Sequence, residues 1–268
     1  MKPKLLDLCG CEGGASAGYA RAGFDVYVID LDKNRLRHNP FATRLDNALE
    51  ALRRLIAGER LTFIAPDGST VDLGLADFTA IHVSPPCQYY SRGNAKAIKA
   101  ARAAAGGVLP ESVNGWPRLI PPFRALLEQT GLPYIIENVT DAGWDMHNPL
   151  ELCGCMFGLS TIDTDGIRIH LKRERLFETN WAMTAPRACD HTGIEWFAGA
   201  YGGARRDKYE AKYIRKGGYV PPDKDVVKAL LGVEHDMTWN GLFECIPPAF
   251  SQHIGAQLLA HLEGQATA

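Results

Sequence analysis

The sequence predicts an α/β fold built on a doubly wound, mostly parallel sheet. Short apolar segments alternate with helical ones, which is typical of a parallel sheet whose crossover helices cover both faces. The apolar segments that we expect to form strands are residues 4–8, 24–30, 79–83 and 132–138. A glycine-rich turn at residues 9–14 joins the first strand to a predicted helix at 15–22. Because ligands of such sheets bind at the carboxyl ends of the strands, the residues that end these segments are candidate site residues.

Length and composition restrict the class of protein. The chain has 268 residues, 46% hydrophobic and 22% charged, which suits one globular α/β domain with an appendage. No apolar run reaches the roughly 18 residues of a membrane span, and Asp7 comes too early for the apolar core of a signal peptide. Seven cysteines, an odd number, favour free thiols in a reducing compartment, so we expect a cytoplasmic protein with no membrane partner. With a net charge of -2, affinity for nucleic acid has to come from local basic patches.

The turn after the first strand and the end of the second strand predict a nucleoside site. The turn contains Gly13 and Gly14 but lacks the full G-x-G-x-x-G dinucleotide pattern. Glycines there allow a ligand to approach the backbone at the amino end of the next helix. The second strand ends in Asp30, where a carboxylate accepts both hydroxyls of a ribose. The alternative is a solvated turn acid.

The segments between residues 41 and 130 are predicted from periodicity and turn residues. Helical spacing covers 41–56 and 116–130, and a hairpin around Gly68 is expected at 60–73. A basic, alanine-rich segment at 92–102 predicts either a lid that clamps phosphates or a solvated helix face.

Two strand ends carry groups capable of covalent or acid–base chemistry. Two prolines stop the strand at 79–83 and leave Cys87 at the carboxyl edge, as a nucleophile or as a small core residue. The strand at 132–138 carries Glu137 near its end, and burial makes a carboxylate costly unless it is paired or protonated. Because strand ends of one parallel sheet converge, we expect Cys87 and Glu137 to face one crevice.

The order of these motifs resembles that of the DNA cytosine-5 methyltransferases. Ser84-Pro85-Pro86-Cys87-Gln88 is similar to the family's nucleophile motif, and Glu137-Asn138-Val139 and then Arg173-Glu174-Arg175 follow it. The resemblance implies a Rossmann-like methyltransferase fold with S-adenosyl-L-methionine as cofactor. It also implies a monomer that acts on double-stranded DNA and flips a cytosine, so that Cys87 attacks C6 and the methyl group goes to C5. In size the chain is similar to stand-alone enzymes of bacteria and their viruses.

The resemblance also implies roles for individual residues. The catalytic residues are the nucleophile Cys87, Glu137 at the cytosine ring, Arg175 at its carbonyl oxygen, and Arg173, which supports Arg175 or reaches phosphate. The cofactor-binding residues are Asp7, Cys9, Gly13, Gly14, Asp30, Leu31, Asp46 and Pro85. The substrate-binding residues are Pro86, Gln88, Ser91, Arg92, Asn138, Arg205 and Arg206. The chain departs from the family pattern at Cys9 (usually aromatic), Cys11 (usually glycine), Leu171 (usually glutamine) and Glu244 (usually asparagine).

The last third of the chain predicts a small recognition region and a returning helix. Residues 168–177 alternate basic and other side chains, which favours a late strand at an antiparallel edge. Glycines, aromatics and basic residues then replace periodicity, as in a loop that enters a nucleic-acid groove. A helix at 251–262 is expected to pack beside the first helix. We therefore divide the chain into a catalytic and cofactor-binding domain (1–179), a reduced target-recognition region (180–226) and a returning C-terminal segment (227–268).

A second group of cysteines allows two interpretations. Cys153, Cys155, Cys189 and His191 offer four zinc ligands, but their spacing is not that of a standard zinc finger. Separate thiols near a core strand are the favoured interpretation, so no metal is expected, and zinc is the weaker alternative.

Three other functions stay open at this point. Some relatives with the same chemistry methylate cytosine in tRNA. A catalytically idle DNA-binding relative is the second alternative, and the presence of Cys87, Glu137 and Arg175 speaks against it. A cytosine-modifying relative with a modified S-adenosylmethionine donor is the third, and it is suggested by the changes at Cys9, Cys11 and Glu244.

Overall fold

The computed structural model describes residues 2–91, 94–201 and 219–266. Its strands are β1 (Lys4–Leu8), β2 (Asp25–Asp30), β3 (Ala42–Leu45), β4 (Leu61–Ile64), β5 (Thr70–Leu73), β6 (Ala80–Val83), β7 (Ser112–Val113), β8 (Trp116–Pro117), β9 (Tyr134–Asn138), β10 (Leu150–Leu152), β11 (Ser160–Ile162), β12 (Arg168–Leu171), β13 (Arg175–Thr179) and β14 (Phe197–Ala198). Its helices are α1 (Gly14–Ala22), α2 (Lys33–Leu36), α3 (Ala48–Ile56), α4 (Ala95–Ala104), α5 (Ile120–Thr130), α6 (Lys224–Leu231), α7 (Trp239–Glu244) and α8 (Pro248–Ala266). Arg92, Arg205 and Arg206 lie outside the described residues.

A nine-stranded sheet in the order β10-β13-β9-β6-β1-β2-β3-β4-β5 forms the centre of the described structure. Its five middle strands, from β9 through β3, are parallel. Strand β13 runs antiparallel to both of its neighbours, and the β4–β5 hairpin extends the other end of the sheet. The α/β, mostly parallel fold predicted from the sequence is confirmed.

Alternation within the strands sends apolar side chains to both faces of the sheet. Leu6 and Leu8 of β1 pack in a core with α3 and α5, whereas Leu5 packs in a core with α1 and α8. All three leucines are fully buried. Helices therefore cover both faces, as a doubly wound sheet requires, and the carboxyl ends of the parallel strands open between the two layers.

Helices α1 and α8 pack closely through a glycine. A Cβ atom at Gly18 would clash with the Oγ of Ser251 and the carbonyl oxygen of Pro248. Since the carbonyl belongs to the backbone, neither helix can relieve the clash by rotating a side chain alone. The sequence-based expectation that the C-terminal helix lies beside α1 is confirmed.

We expect Gly18→Ala to lower the free energy of unfolding by about 2 kcal/mol, because the added methyl forces α1 and α8 apart. Urea denaturation followed by circular dichroism measures this. Gly264→Ala is the matched control, since Gly264 lies exposed on α8 with open space around it. An unchanged unfolding midpoint for Gly18→Ala would contradict the close packing.

Two helices predicted from the sequence had wrong boundaries. Residues 41–56 form β3 followed by α3, because 42–45 pair with β2 and Asn47 then caps the helix through its side chain. Residues 116–130 begin as β8, and α5 starts only at Ile120, with prolines in its first turn. The hairpin at 60–73 is confirmed, with Gly68 in the left-handed region at φ 83°.

The segment 168–177 is two strands in two different sheets rather than one edge strand. Strand β12 belongs to a three-stranded sheet, β11-β12-β14, whereas β13 lies inside the central sheet between β9 and β10. The chain crosses between the sheets at Arg173, which is fully buried. Its guanidinium donates to the carbonyl oxygens of Ala200 and Phe243 at 2.6 and 2.8 Å. These bonds offset the cost of burying the charge and fix the crossing point.

The smaller sheet has its own apolar core, to which α6 contributes Leu230 and Leu231. It takes two strands from before residue 179 and one from after it. The division into three parts at residues 179 and 226 stays a prediction. Among the described helices, none is both long and apolar enough to cross a bilayer.

Candidate active site

A cavity of about 580 Å³ lies at the carboxyl edge of the central sheet, which we call the sheet-edge cavity. Its volume is in the usual range for small-molecule sites. The sequence-predicted residues that line it are Cys9, Gly14, Asp30, Leu31, Pro85, Pro86, Cys87, Gln88, Glu137 and Arg175. The cavity therefore brings together groups that lie up to 166 residues apart along the chain.

Cys87 lies just beyond the end of β6, where the two prolines stop the strand. It opens a short 3-10 helix, Cys87–Tyr90, and is partly exposed to the cavity. Burial, and then the negative charge of Glu137, raises the pKa of its thiol, while Arg175 acts in the opposite direction. The free protein therefore holds this group as a thiol, and a reaction at the sulfur has to include loss of its proton.

Hydrogen bonds fix the backbone on both sides of Cys87. The amide of Asn138 donates to the carbonyl oxygen of Pro85 at 2.9 Å. The amide of Asn94 and the hydroxyl of Ser91 donate to the carbonyl oxygen of Gln88 at 2.6 and 3.0 Å. Asn138 and Ser91, both predicted to bind substrate, are not among the residues that line the cavity. In the structure they position the turn that carries the thiol.

Glu137 and Arg175 form a buried pair across two neighbouring strands. Phe177 of β13 pairs with Glu137 of β9, so Arg175 at the start of β13 lies beside the carboxyl end of β9. The Nε of Arg175 forms an ion pair with Oε1 of Glu137 at 3.1 Å, and both side chains are at most 10% exposed. Burial raises the pKa of Glu137, and the charges of Arg175 and Arg173 offset part of that rise. A carboxyl with a raised pKa can donate a proton as well as accept one.

Asp30 is held at the cavity wall by the backbone. The N–H groups of Cys11 and Asp32 donate to its two carboxylate oxygens at 3.0 and 2.8 Å. Leu31, directly after it, lines the cavity with 69% of its surface exposed. A carboxylate next to an open apolar side chain suits a group with polar hydroxyls on one side and a flat apolar face on the other.

The turn that predicts the nucleoside site is shaped by conformations that are rare for cysteine. Cys9 and Cys11 have φ angles of 60° and 47°, in the left-handed region. Below them a Cβ at Gly10 would lie 2.6 Å from a methyl of Val28 and 3.0 Å from the carboxyl carbon of Asp7. Asp7 is fully buried, accepts from the Ser16 hydroxyl at 2.5 Å, and has its pKa raised by burial to about 7. Asp7 therefore supports the turn from beneath and does not line the cavity.

The remaining predicted residues lie outside the cavity lining. Asp46 makes ion pairs with Arg44 at 2.9 Å and with Arg54 at 3.1 Å, while residues 47–49 line the cavity in its place. Gly13 and Arg173 are also outside the lining. The roles assigned to these residues stay predictions.

Sequence reasoning missed several groups that shape the cavity. Glu12 is fully buried, and its carboxylate accepts from the N–H and the hydroxyl of Thr238, both at 2.6 Å. Arg35 makes an ion pair with Glu244 at 2.9 Å, and both residues line the cavity. These contacts attach the C-terminal segment to the turn after β1, through Glu12, and to α2, through Arg35. The partners in these contacts lie more than 200 residues apart, so the sequence contains no local signal for the pairs. Only the N-cap pattern at Thr238 marks one of the residues.

Comparisons with known proteins find matches only among solved structures. No protein-family model matches the sequence, and no curated protein matches it. The Dnmt2 methyltransferase of S. pombe is 13% identical, with a TM-score of 0.47, over 97% of this chain and 99% of that chain. The methyltransferase EhMeth of Entamoeba histolytica is 10% identical, with a TM-score of 0.45, over 98% and 99% of the two chains.

A third match is described as a DNA modification methyltransferase encoded within an E. coli prophage. It is 17% identical, with a TM-score of 0.38, over 65% of this chain and 45% of that chain. The chain thus covers less than half the length of that protein. At such identities and TM-scores the likeness does not carry function, which has to be argued from the site itself.

Proposed function

We propose that the protein is a cytosine-5 methyltransferase that uses S-adenosylmethionine and acts on double-stranded DNA. The observation that carries the proposal is the single cavity that Cys87, the Glu137–Arg175 pair and Asp30 share. A thiol, an acid with a raised pKa and a guanidinium are the groups needed to activate a cytosine ring. Asp30 lies at the carboxyl end of strand β2, which β1 separates from β6, and a nucleoside cofactor would be bound there.

The residues at the Asp30 side fit S-adenosylmethionine. Asp30 is anchored by two backbone N–H groups, and its carboxylate oxygens keep lone pairs for the ribose hydroxyls. Leu31 and Leu49 offer apolar surface to an adenine ring. The Arg35–Glu244 pair and the turn with Cys11 enclose the same side. When bound, this cofactor supplies an electrophilic methyl group.

The chemistry of cytosine explains why a thiol is required. C5 of cytosine is a weak nucleophile, and addition of the Cys87 thiolate to C6 converts the C5–C6 double bond into an enamine that is electron-rich at C5. Negative charge builds on N3 during the addition. Glu137, as a protonated carboxyl, donates to N3 while its other oxygen accepts from the 4-amino group. Once C5 carries the methyl group, loss of the C5 proton to water expels the thiolate, and the N3 proton returns to Glu137.

Arg175 has donors to spare for the pyrimidine carbonyl oxygen. Its Nε is ion-paired with Glu137, and Nη1 donates to the carbonyl oxygen of Glu174 at 2.8 Å. A guanidinium has five N–H donors, so others stay available for O2 of the ring. Its positive charge also favours the thiolate of Cys87. The Arg175 side chain can therefore hold the Glu137 carboxyl, bind the cytosine ring and stabilise the Cys87 thiolate.

The direct test supplies a labelled methyl donor together with duplex DNA, with tRNA or with no nucleic acid, and measures the label transferred. We expect label in duplex DNA and 5-methylcytosine as the product nucleoside by mass spectrometry. Label only in tRNA would mean that the substrate is tRNA rather than duplex DNA. A cytosine product heavier than 5-methylcytosine would mean that the donor is a modified S-adenosylmethionine. Sequencing the methylated cytosines in DNA from an expressing host would give the target sequence.

Asp30→Asn should weaken binding of S-adenosylmethionine about 10- to 100-fold, because a charged acceptor for the ribose hydroxyls is replaced by a neutral one. Titration calorimetry measures the dissociation constant. Asp25→Asn, at the exposed opposite end of the same strand, is the matched control and should bind like the wild type. Equal affinities for all three proteins would remove Asp30 from the cofactor site.

A further inference from the structure

A cluster of three cysteines and one histidine lies apart from the sheet-edge cavity. Cys153 follows β10, and Cys155 lies in the 3-10 helix Gly154–Phe157. Cys189 and His191 come from the irregular chain between β13 and β14. One ligand atom from each of the four residues lies within 4.8 Å of all the others. The sequence offered these four as zinc ligands but favoured separate thiols, and the fold brings them together.

Three distances within the cluster come close to the edges of a tetrahedral metal site. Nε2 of His191 lies 3.4 Å from the sulfur atoms of both Cys153 and Cys189. The sulfur atoms of Cys155 and Cys189 are 3.2 Å apart. Zinc bonds of about 2.3 Å to sulfur and 2.0–2.1 Å to nitrogen give tetrahedral edges of roughly 3.5–3.8 Å. A bound ion would therefore need only small shifts of these side chains.

We propose that Cys153, Cys155, Cys189 and His191 bind one structural zinc ion. Three thiolates and one imidazole form a closed four-coordinate set, which leaves no position for a substrate or an activated water. Soft sulfur ligands select zinc over magnesium or calcium, which prefer oxygen. The proposal does not depend on the proposed methyl transfer, because none of the four residues lines the sheet-edge cavity.

The position of the cluster gives the ion a mechanical role. Described residues 182–196 form neither a helix nor a strand, so few backbone hydrogen bonds hold them. Arg187 donates to the carbonyl oxygen of Cys155 at 2.7 Å, and the His191 ring lies 5.0 Å from that of Phe197. A metal bridging Cys155 and Cys189, 34 residues apart, would fasten this segment to the end of β10. It would thereby fix where β14 and the predicted recognition region begin.

A disulfide between Cys155 and Cys189 is the competing use of the same atoms. It would oxidise two thiols and leave Cys153 and His191 without a shared partner. Zinc uses all four groups, which converge from two separate segments. Chelation therefore accounts for Cys153 and His191 as well, which a disulfide does not.

The full-length protein, purified under reducing conditions without chelator, should contain about one zinc per chain by plasma mass spectrometry. His191→Ala should lose most of that zinc, whereas His191→Cys should keep it, because four cysteines also form a structural zinc site. Cys87→Ser removes a thiol outside the cluster and should keep the metal. Replacement by cobalt should give the thiolate-to-cobalt charge-transfer band in the wild type and in Cys87→Ser.

A strong chelator should lower the melting temperature of the wild type by about 5 °C or more and leave that of His191→Ala unchanged. The proposal fails if wild-type protein supplied with zinc during expression carries less than about a tenth of an equivalent. It also fails if peptide mass mapping finds Cys155 and Cys189 joined in the reduced preparation. These readouts are independent of methyl transfer, so they stand or fall separately from the proposed function.

Discussion

Cys87→Ser is expected to lower the rate of methyl transfer to DNA by at least about 10³-fold. A serine hydroxyl has nearly the same size, so it fits the turn after β6, but it forms an oxyanion far less readily than a thiol forms a thiolate. Without addition at C6, C5 does not gain the electron density that the reaction needs. The rate is measured as incorporation of a labelled methyl group under single-turnover conditions.

Two controls separate chemistry from folding in this variant. Cys87→Ser should bind S-adenosylmethionine with the wild-type dissociation constant, because Asp30 and the turn after β1 are unaffected. Wild type should form a covalent complex with DNA that contains 5-fluorocytosine, which persists in denaturing gels, and Cys87→Ser should not. A variant that retains transfer within tenfold of wild type would remove Cys87 from the mechanism.

Glu137→Gln is expected to lower kcat by about 10²- to 10³-fold with little change in KM. A glutamine amide can donate to N3 and accept from the 4-amino group, so it keeps the ground-state hydrogen bonds. It cannot pass a proton to N3 as charge builds there. Glu151→Gln is the matched control, since Glu151 is an exposed carboxyl on β10 outside the cavity. A rise in KM with unchanged kcat would instead make Glu137 a binding residue only.

The pH profile of Glu137→Gln gives a second test. Burial raises the pKa of Glu137 in the free protein. As pH rises through that raised pKa, the carboxyl loses the proton that it would donate while the thiolate fraction of Cys87, whose pKa is also raised, is still increasing. The two changes offset each other, so kcat/KM of the wild type should level off above that pH. Glutamine has no such proton, and kcat/KM of the variant should keep rising with pH until the Cys87 thiol is deprotonated.

Local patterns predicted much of the fold because most parallel strands are short and mainly apolar. Leu5, Leu6 and Leu8 identify β1, and Gly68 identifies the hairpin. Each of these patterns spans only a few residues. The helix predicted at 41–56 was wrong in its first part because pairing with β2 overrode the local helical spacing. The strand predicted at 168–177 was wrong because the break at Arg173 depends on carbonyl groups from residues 200 and 243.

The same distinction applies to the candidate site. Cys87, Glu137 and Asp30 could be chosen from the sequence because each ends a predicted parallel strand, and such ends share one edge of a sheet. The Arg35–Glu244 pair and the Glu12–Thr238 contacts could not be chosen, because a pair interaction between distant residues leaves no local signal. The four proposed zinc ligands could be named from the sequence, but only the fold shows that they lie together.

The sequence alone determined the type of fold and the chemical groups at the strand ends, because strand periodicity, proline stops and glycine turns act over a few residues. Tertiary structure alone decided which of those groups meet. It placed Arg175 against Glu137 through the pairing of β13 with β9, and it converged the sulfur atoms of Cys155 and Cys189 from segments 34 residues apart. Such distances are set by the packing of the whole chain, and no short stretch of sequence contains them.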